Sequence, residues 1–254
     1  MKNRHNEIVR IVDQSYSITF NDLKDHFPDI SSVTLRRDLE TLDHENRIIR
    51  VHGGAKSVKF QIGTDGNLTK RESLNHELKQ AIAQKAAEQV DPNTSIFIDS
   101  GSTCLEACKY FPDIQALVYT SGVNCCVELS KRKNLKLYTL GGYVNKDTLA
   151  LSGTTCLSSM EYVNFNTVIL GALGCTDELH LTTGEEEAAI LKRTAIKHAK
   201  KVVVLLDSSK FSTTHTFSFA HISEIHTLIT DSGISPQMLE KLKESGTEVV
   251  VADV

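Results

Sequence analysis

Ser31-Ser32-Val33-Thr34-Leu35-Arg36-Arg37-Asp38-Leu39-Glu40-Thr41-Leu42, followed by Arg47-Ile48-Ile49-Arg50-Val51-His52-Gly53-Gly54-Ala55, decides how the N-terminal part of this chain folds. A serine oxygen at Ser31 or Ser32 can accept an orphan backbone N–H, so a helix is expected to start here. Leu35, Leu39 and Leu42 fall at i, i+4 and i+7 and form one apolar stripe. Thr34, Arg37 and Thr41 point the opposite way, with Arg36 on the flank and Ser32 at the first turn. Short hydroxyls and guanidinium forks suit phosphates and base edges. Arg47 to His52 then reads as a β-ribbon that Gly53-Gly54 ends, with Arg50 and His52 near its tip, suited to lie along a DNA backbone. Most Arg-rich helix faces meet only solvent, and the local pattern alone leaves the two readings level.

The surrounding sequence tips that balance. Glu7-Ile8-Val9-Arg10-Ile11-Val12 gives a first helix with an apolar side. Thr19 caps a second, with Asp22 three residues on as a variant of the capping box, and Leu23 and Phe27 give it an edge to bury. Pro28-Asp29-Ile30 turns the chain into the Ser31 helix. Three short helices and a ribbon make a winged helix-turn-helix, whose third helix enters the major groove. The run from Val33 to Leu39, ending in Arg50-Val51-His52-Gly53-Gly54-Ala55, resembles the DNA-binding head of the DeoR family of bacterial transcription regulators. The resemblance continues through nearly the whole chain.

Length and composition bound the rest. The 254 residues suffice for a small domain plus a larger one, and 40% hydrophobic residues support a packed core. Twenty-eight basic against 32 acidic residues leave a net charge of −4. Any DNA contact is therefore local, supplied by a patch of Arg36, Arg37, Arg47, Arg50, Lys56 and Lys59. No stretch approaches the ~18 apolar residues of a membrane span, and no apolar signal segment follows Met1-Lys2-Asn3-Arg4-His5. A cytoplasmic, membrane-free protein is expected. Cys104 and Cys108 are one helical turn apart, Cys125 and Cys126 are adjacent, and Cys156 and Cys175 stand alone. None of these has metal-site spacing, so reduced, mostly buried thiols are expected and neither a metal nor a cofactor is.

Lys56 to Thr69, with Gly63, Gly66 and Asn67, reads as a linker. Lys70-Arg71-Glu72 opens a long helical pattern with Leu78, Ile82 and Ala86 in register. From Ser95 short apolar runs alternate with helical stretches at Cys104–Phe111, Val123–Lys131, Glu185–Ala199 and Pro236–Ser245. That alternation argues a mostly parallel sheet with helices on both faces. The fold class is thus α/β: a winged helix-turn-helix domain over 1–57, a linker over 58–75 and a larger domain over 76–254. Ligands of such sheets bind outside the carboxyl ends of the strands. Five strand ends carry small polar loops: Asp99-Ser100-Gly101-Ser102-Thr103, Thr120-Ser121-Gly122, Gly141-Gly142, Gly171-Ala172-Leu173-Gly174 and Asp207-Ser208-Ser209-Lys210. A small-residue turn feeding a helix offers N–H groups to an anion, and five around one rim point to a small anionic ligand.

The family resemblance covers these loops too. It implies a sensor domain similar in fold to sugar-phosphate isomerases and a phosphosugar effector. The phosphate would sit at Asp99–Thr103 and Thr120-Ser121, and the sugar near Gly141-Gly142, Lys192, Asp207 and Lys210, with Lys146 at a commonly basic position. Arg71, Asn75, Lys79, Ile82 and Ala83 match the pattern that joins head to sensor. Departures occur at His180, Ala188, Leu173 and Asn166, each expected to alter a charge or donor near the pocket. Two functions are compatible with these residues. The first is a DNA-binding regulator, a repressor relieved by a phosphorylated sugar and acting as a homodimer or homotetramer on an operator; its pocket would either still bind the sugar or have lost it. The second is a sugar-phosphate isomerase with an appended head, which would have to conscript Asp99, Glu187, Asp207, Lys192 and Lys210. Leu173 and Ala188 stand where such a site would want acids, so no catalytic residue is assigned.

Overall fold

The computed structural model describes residues 2–15, 17–45, 47–51, 53–57, 60–61 and 68–254, which fall into two compact units, Met1–Ile62 and Gly63–Val254. His52, Lys59 and the linker residues Gly63, Gly66 and Asn67 lie outside the described residues.

The first unit holds α1 (Lys2–Ser15), β1 (Ser17–Thr19), α2 (Phe20–His26), α3 (Ser32–His44), β2 (Ile49–Val51) and β3 (Gly54–Lys56). Thr19 Oγ1 accepts from Asp22 N at 3.2 Å and opens α2; Ser31 Oγ accepts from Thr34 N at 3.1 Å and opens α3. Leu35, Leu39 and Leu42 meet Ile8, Ile11 and Val12 of α1 and Leu23 of α2 in one buried cluster. The ribbon differs from its sequence reading. Gly53 turns with φ +84° and Gly54 begins a return strand rather than ending the ribbon. β3 pairs antiparallel with both β2 and β1, so the sheet has three strands in the order β1-β3-β2. Glycine is needed at 54 because a Cβ there would strike the Ile18 carbonyl.

In the second unit seven strands form one parallel sheet: β4 (Ser95–Ile98), β5 (Ala116–Thr120), β6 (Leu135–Thr139), β7 (Phe165–Gly171), β8 (Ala199–Leu205), β9 (Thr227–Asp231) and β10 (Glu248–Ala252). Their order is β10-β9-β8-β7-β4-β5-β6, every neighbouring pair parallel. Alternate side chains feed two separate cores. Phe97, Val168, Leu170, Val202 and Val204 face one side, with α8 (Thr154–Ser158), α9 (Glu186–Lys197) and α10 (Pro236–Glu244). Ile96, Ile98, Ile169, Val203 and Leu205 face the other, with α5 (His76–Ala87), α6 (Ser102–Tyr110) and α7 (Val123–Leu129). The chain builds β4-β5-β6 in one direction and β7-β8-β9-β10 in the other. The strand order therefore reverses between β4 and β7, the place where such sheets open a crevice.

The long helix expected from Lys70 is broken. A short α4 (Leu68–Ser73) ends before Asn75, whose backbone is left-handed at φ 51°, and α5 starts afresh. All six cysteines are free thiols; five are buried and Cys126 is half-buried. Among the described residues no helix is long and apolar enough to cross a membrane.

One polar tie holds the small unit. Asp38, 5% exposed, accepts from Arg4 Nε at 2.6 Å and Nη2 at 2.8 Å, and lies 3.0 Å from His5 Nε2, joining α3 to α1. Burial works to raise its pKa, but the hydrogen bonds from Arg4 and His5 prevail and hold the carboxyl below its ordinary value. Its contribution is therefore present above the unfolded-state pKa of about 3.9 and is lost as pH falls through the depressed folded value. Asp38→Ala is expected to lower the stability of this unit by about 1.5–3 kcal/mol at pH 7 in urea melts, with the difference from wild type shrinking towards pH 2.

Candidate functional site

The outward face of α3 is less uniform than the sequence implied. Arg36 stacks its guanidinium over the Phe20 ring, 4.7 Å from the centroid. Arg50 pairs with Glu40 at 2.7 Å while its backbone N–H donates to Asp43. Arg47 donates to Asn6 Oδ1 and lies 3.5 Å from Glu45. Thr41 Oγ1 donates back to the Arg37 carbonyl at 3.0 Å, and the Thr34 hydroxyl lies 2.9 Å from that of Ser31. Ser32 and Arg37 are exposed, and their side chains have no polar partner among the described residues. The expected basic patch is thus partly neutralised by Glu40 and Glu45, and Arg37 is its uncommitted fork.

In the second unit a cleft opens at the sheet reversal. β4 delivers Ser100 and Gly101, and α6 adds Ser102 and Thr103 in its first turn, after Gly101 at φ +106°. Gly171, Ala172 and Leu173 follow β7; Leu206, Asp207 and Lys210 follow β8. Lys192 lines its floor, and Asp99 lies buried beneath it. Lys192 Nζ donates to Asp99 Oδ2 and, at 2.9 Å, to the Gly171 carbonyl; Asp99 also accepts from Gly171 N and Ser121 Oγ, each at 3.2 Å. Both are nearly sealed, at 2% and 6% exposure, so Lys192 arrives already committed.

A further wall, which the sequence reading did not assign to the site, comes from Arg71, Leu74, Asn75 and Lys79. Asn75 Nδ2 donates to Asp207 Oδ1 at 3.3 Å and Ser209 Oγ at 3.0 Å. Lys79 Nζ donates to the carbonyls of Arg71 and Leu74, the end of α4. Burial, the largest influence, pulls the Lys79 ammonium down to about 8; the Asp207 carboxylate opposes that shift. The signal was in the sequence: Arg71, Asn75 and Lys79 recur every four residues, a polar stripe along a helical stretch. Thr148, Ala150, Thr183, Glu185 and Ala188 complete the lining.

Seven residues expected at the site do not line the cleft, Asp99 beneath its floor among them. Thr120 and Ser121 are buried beneath it, because a hairpin of Tyr143–Val144 with Leu151–Ser152 covers the end of β5; Leu151 N donates to the Ser121 carbonyl at 2.7 Å. Gly141 and Gly142 pack against α8 and that hairpin, and Lys146 is exposed at its turn. Gly174 is buried where a Cβ would strike the Thr213 carbonyl. Two departures also lie away from the cleft. Asn166 stands at the opposite end of the sheet, accepting from Ser95 N at 3.0 Å, and His180 meets the His221 ring edge-on. Leu173 and Ala188 do line it.

Comparison with known proteins agrees with both units. The DeoR-like helix-turn-helix domain matches residues 4–61 and the DeoR C-terminal sensor domain residues 74–232. The chain is similar to the uncharacterized HTH-type transcriptional regulator YulB of Bacillus subtilis (31% identical, 97% of this chain and 95% of the other). It is similar to the HTH-type transcriptional regulator GlpR of Haloferax volcanii (34%; 97% and 96%) and to the glycerol-3-phosphate regulon repressor of Escherichia coli (27%; 90% of each). Among solved structures, ribose 5-phosphate isomerase A of Methanocaldococcus jannaschii overlaps 54% of this chain and 55% of its own at 17% identity, with a TM-score of 0.40.

The floor of the cleft allows a direct test. Lys192→Met removes one member of a buried ion pair and strands Asp99 without its counter-charge. The expected cost is about 3–5 kcal/mol in thermal or urea unfolding of the second unit, far above what an exposed ligand-binding lysine would show.

Proposed function

This chain belongs to the DeoR family of helix-turn-helix transcriptional regulators, and from that premise we propose that it represses carbohydrate genes and leaves its operator when a phosphorylated sugar enters the cleft. The observation that carries the ligand class is the cleft's composition. Hydroxyls and N–H groups at the start of α6 face cations on Arg71, Lys79 and Lys210, a setting suited to a phosphate. Asp207, Thr183 and Glu185 offer acceptors for sugar hydroxyls. The resemblance to a glycerol-3-phosphate regulon repressor supports the same class.

We read the cleft as a sensor rather than a catalyst. Asp99 is committed to Lys192, Gly171 and Ser121, and Asp207 to Asn75 and Ser209. An enediol isomerisation needs a carboxylate base over the substrate carbon, and Leu173 and Ala188 present carbon instead. One recognition helix covers one half-site, so operator binding calls for at least two copies of the chain. Coupling runs through the Arg71–Lys79 joint, which both lines the cleft and leads from the DNA-binding unit in sequence. A sugar phosphate shifts the balance only by favouring one state of that joint over the other.

Two measurements test this reading. Binding to duplex fragments from upstream of its own operon is expected to be sequence-specific and to be reversed by one member of a sugar-phosphate panel, but not by the matching free sugar; Arg37→Ala is expected to cost about 1–3 kcal/mol of discrimination at one base pair. Specific binding that no sugar phosphate alters would sink the effector assignment. In addition, the Lys79 pKa of about 8 rises again when a phosphate dianion binds beside it. Binding should therefore take up protons and weaken as pH climbs through 8, which calorimetry in buffers of different ionisation enthalpy reads directly.

A further inference from the structure

Among the described residues Val33 is the one exposed large hydrophobic of the N-terminal unit, at 77%. Every other aliphatic side chain described on its three helices is buried or half-buried. At about 100° per residue, Val33 lies about 200° from Leu35, diametrically away from the core stripe. Arg37, four residues on, lies within about 40° of it on the same outward face. The two make a pair: an apolar knob one helical turn from a guanidinium that has no partner among the described residues. Val33 sits in the first turn of α3, just after the Ser31 cap, and the N-terminal residues of a recognition helix are those that reach base edges. In the major groove the apolar feature that distinguishes one base pair from another is the 5-methyl group of thymine.

We propose that Val33 is a specificity-determining residue that reads a thymine 5-methyl group beside the base pair read by Arg37. The inference rests on the operator-binding reading above and deepens it. Four residues advance about 6 Å along a helix, and base pairs stack about 3.4 Å apart. The thymine therefore lies within about two base steps of the Arg37 contact. Removing a methyl contact of this kind corresponds to about a fourfold loss of affinity.

The test uses the full-length chain and a random-sequence duplex pool. Wild type and Val33→Ser are each carried through selection, and the wild-type consensus is then resynthesised with single thymines replaced by deoxyuridine, which removes only the methyl. Wild type should lose about fourfold at one thymine; Val33→Ser should bind both duplexes equally and relax selection at that position alone, while Val33→Ile keeps the preference. An enriched site at which no uracil weakens wild type, or at which Val33→Ser still discriminates, overturns the inference while leaving the operator reading intact. A wild-type pool in which no sequence is enriched overturns both. Substitution of so exposed a side chain leaves the core untouched, and an unchanged thermal melt verifies that any loss is one of recognition.

Discussion

The buried ion pair of Asp99 and Lys192 is the contact on which the second unit depends. Where the strand order reverses, two central strands continue into loops that depart in opposite directions, and nothing in a parallel ladder holds those loops together. Asp99 at the end of β4 accepts the Gly171 N–H at the end of β7, and Lys192 from α9 takes the Gly171 carbonyl. Backbone polar groups that the sheet leaves unpaired are thereby satisfied by side chains. Sealing two charges costs several kcal/mol per ion, and only close pairing with further hydrogen bonds offsets it. Ser121 and Gly171 supply those bonds. The result is a locally neutral floor, so the positive character of the cleft comes from its walls, Arg71, Lys79 and Lys210.

The small unit uses the same device in miniature. Asp38 sits on the buried side of α3 and binds Arg4 and His5 of α1, fixing how the recognition helix lies on the rest of its unit. Elsewhere on the unit, Arg36 rests on Phe20, Arg50 pairs with Glu40, and Arg47 lies between Asn6 of α1 and Glu45. Such exposed pairs are individually weak, about 0–1 kcal/mol, and cost little to break. A net charge of −4 accords with DNA contact that is local rather than spread over the chain.

Much of this was legible because it is local. Caps at Thr19 and Ser31, the Leu35-Leu39-Leu42 stripe and the alternation of apolar runs with helices are written in short windows. The strand-end loops were legible as a set, but which of them share a cleft depends on strand order, which no window contains. Thr120-Ser121 and Gly141-Gly142 have the composition of a rim, yet β5 and β6 lie on the far side of β4 from the reversal and a hairpin covers the end of β5. Lys192 looked like a ligand lysine because its partner is 93 residues away in sequence. The third strand of the small sheet was missed because Ser17–Thr19 is only three residues long and pairs through a glycine whose role is an absence of side chain.

The break at Asn75 shows why the cleft and the chain entering it are one mechanical problem. A continuous helix from Leu68 would bury its own carbonyls in hydrogen bonds; here Lys79 takes those of Arg71 and Leu74 instead. Asn75 tolerates the left-handed region better than most residues, but its conformation is held by an amide reaching Asp207 and Ser209. The restraints supplied by Asn75 and Lys79 thus involve groups that line the cleft or touch one that does. A dianion bound there would act on Lys79 directly and on Asp207 through like charge. The energy available would be the difference between an ammonium's bonds to neutral carbonyls and its pairing with a full negative charge. A ligand in this cleft would bias the segment that leads to the recognition helix only to the extent that it favours one arrangement of the joint over another.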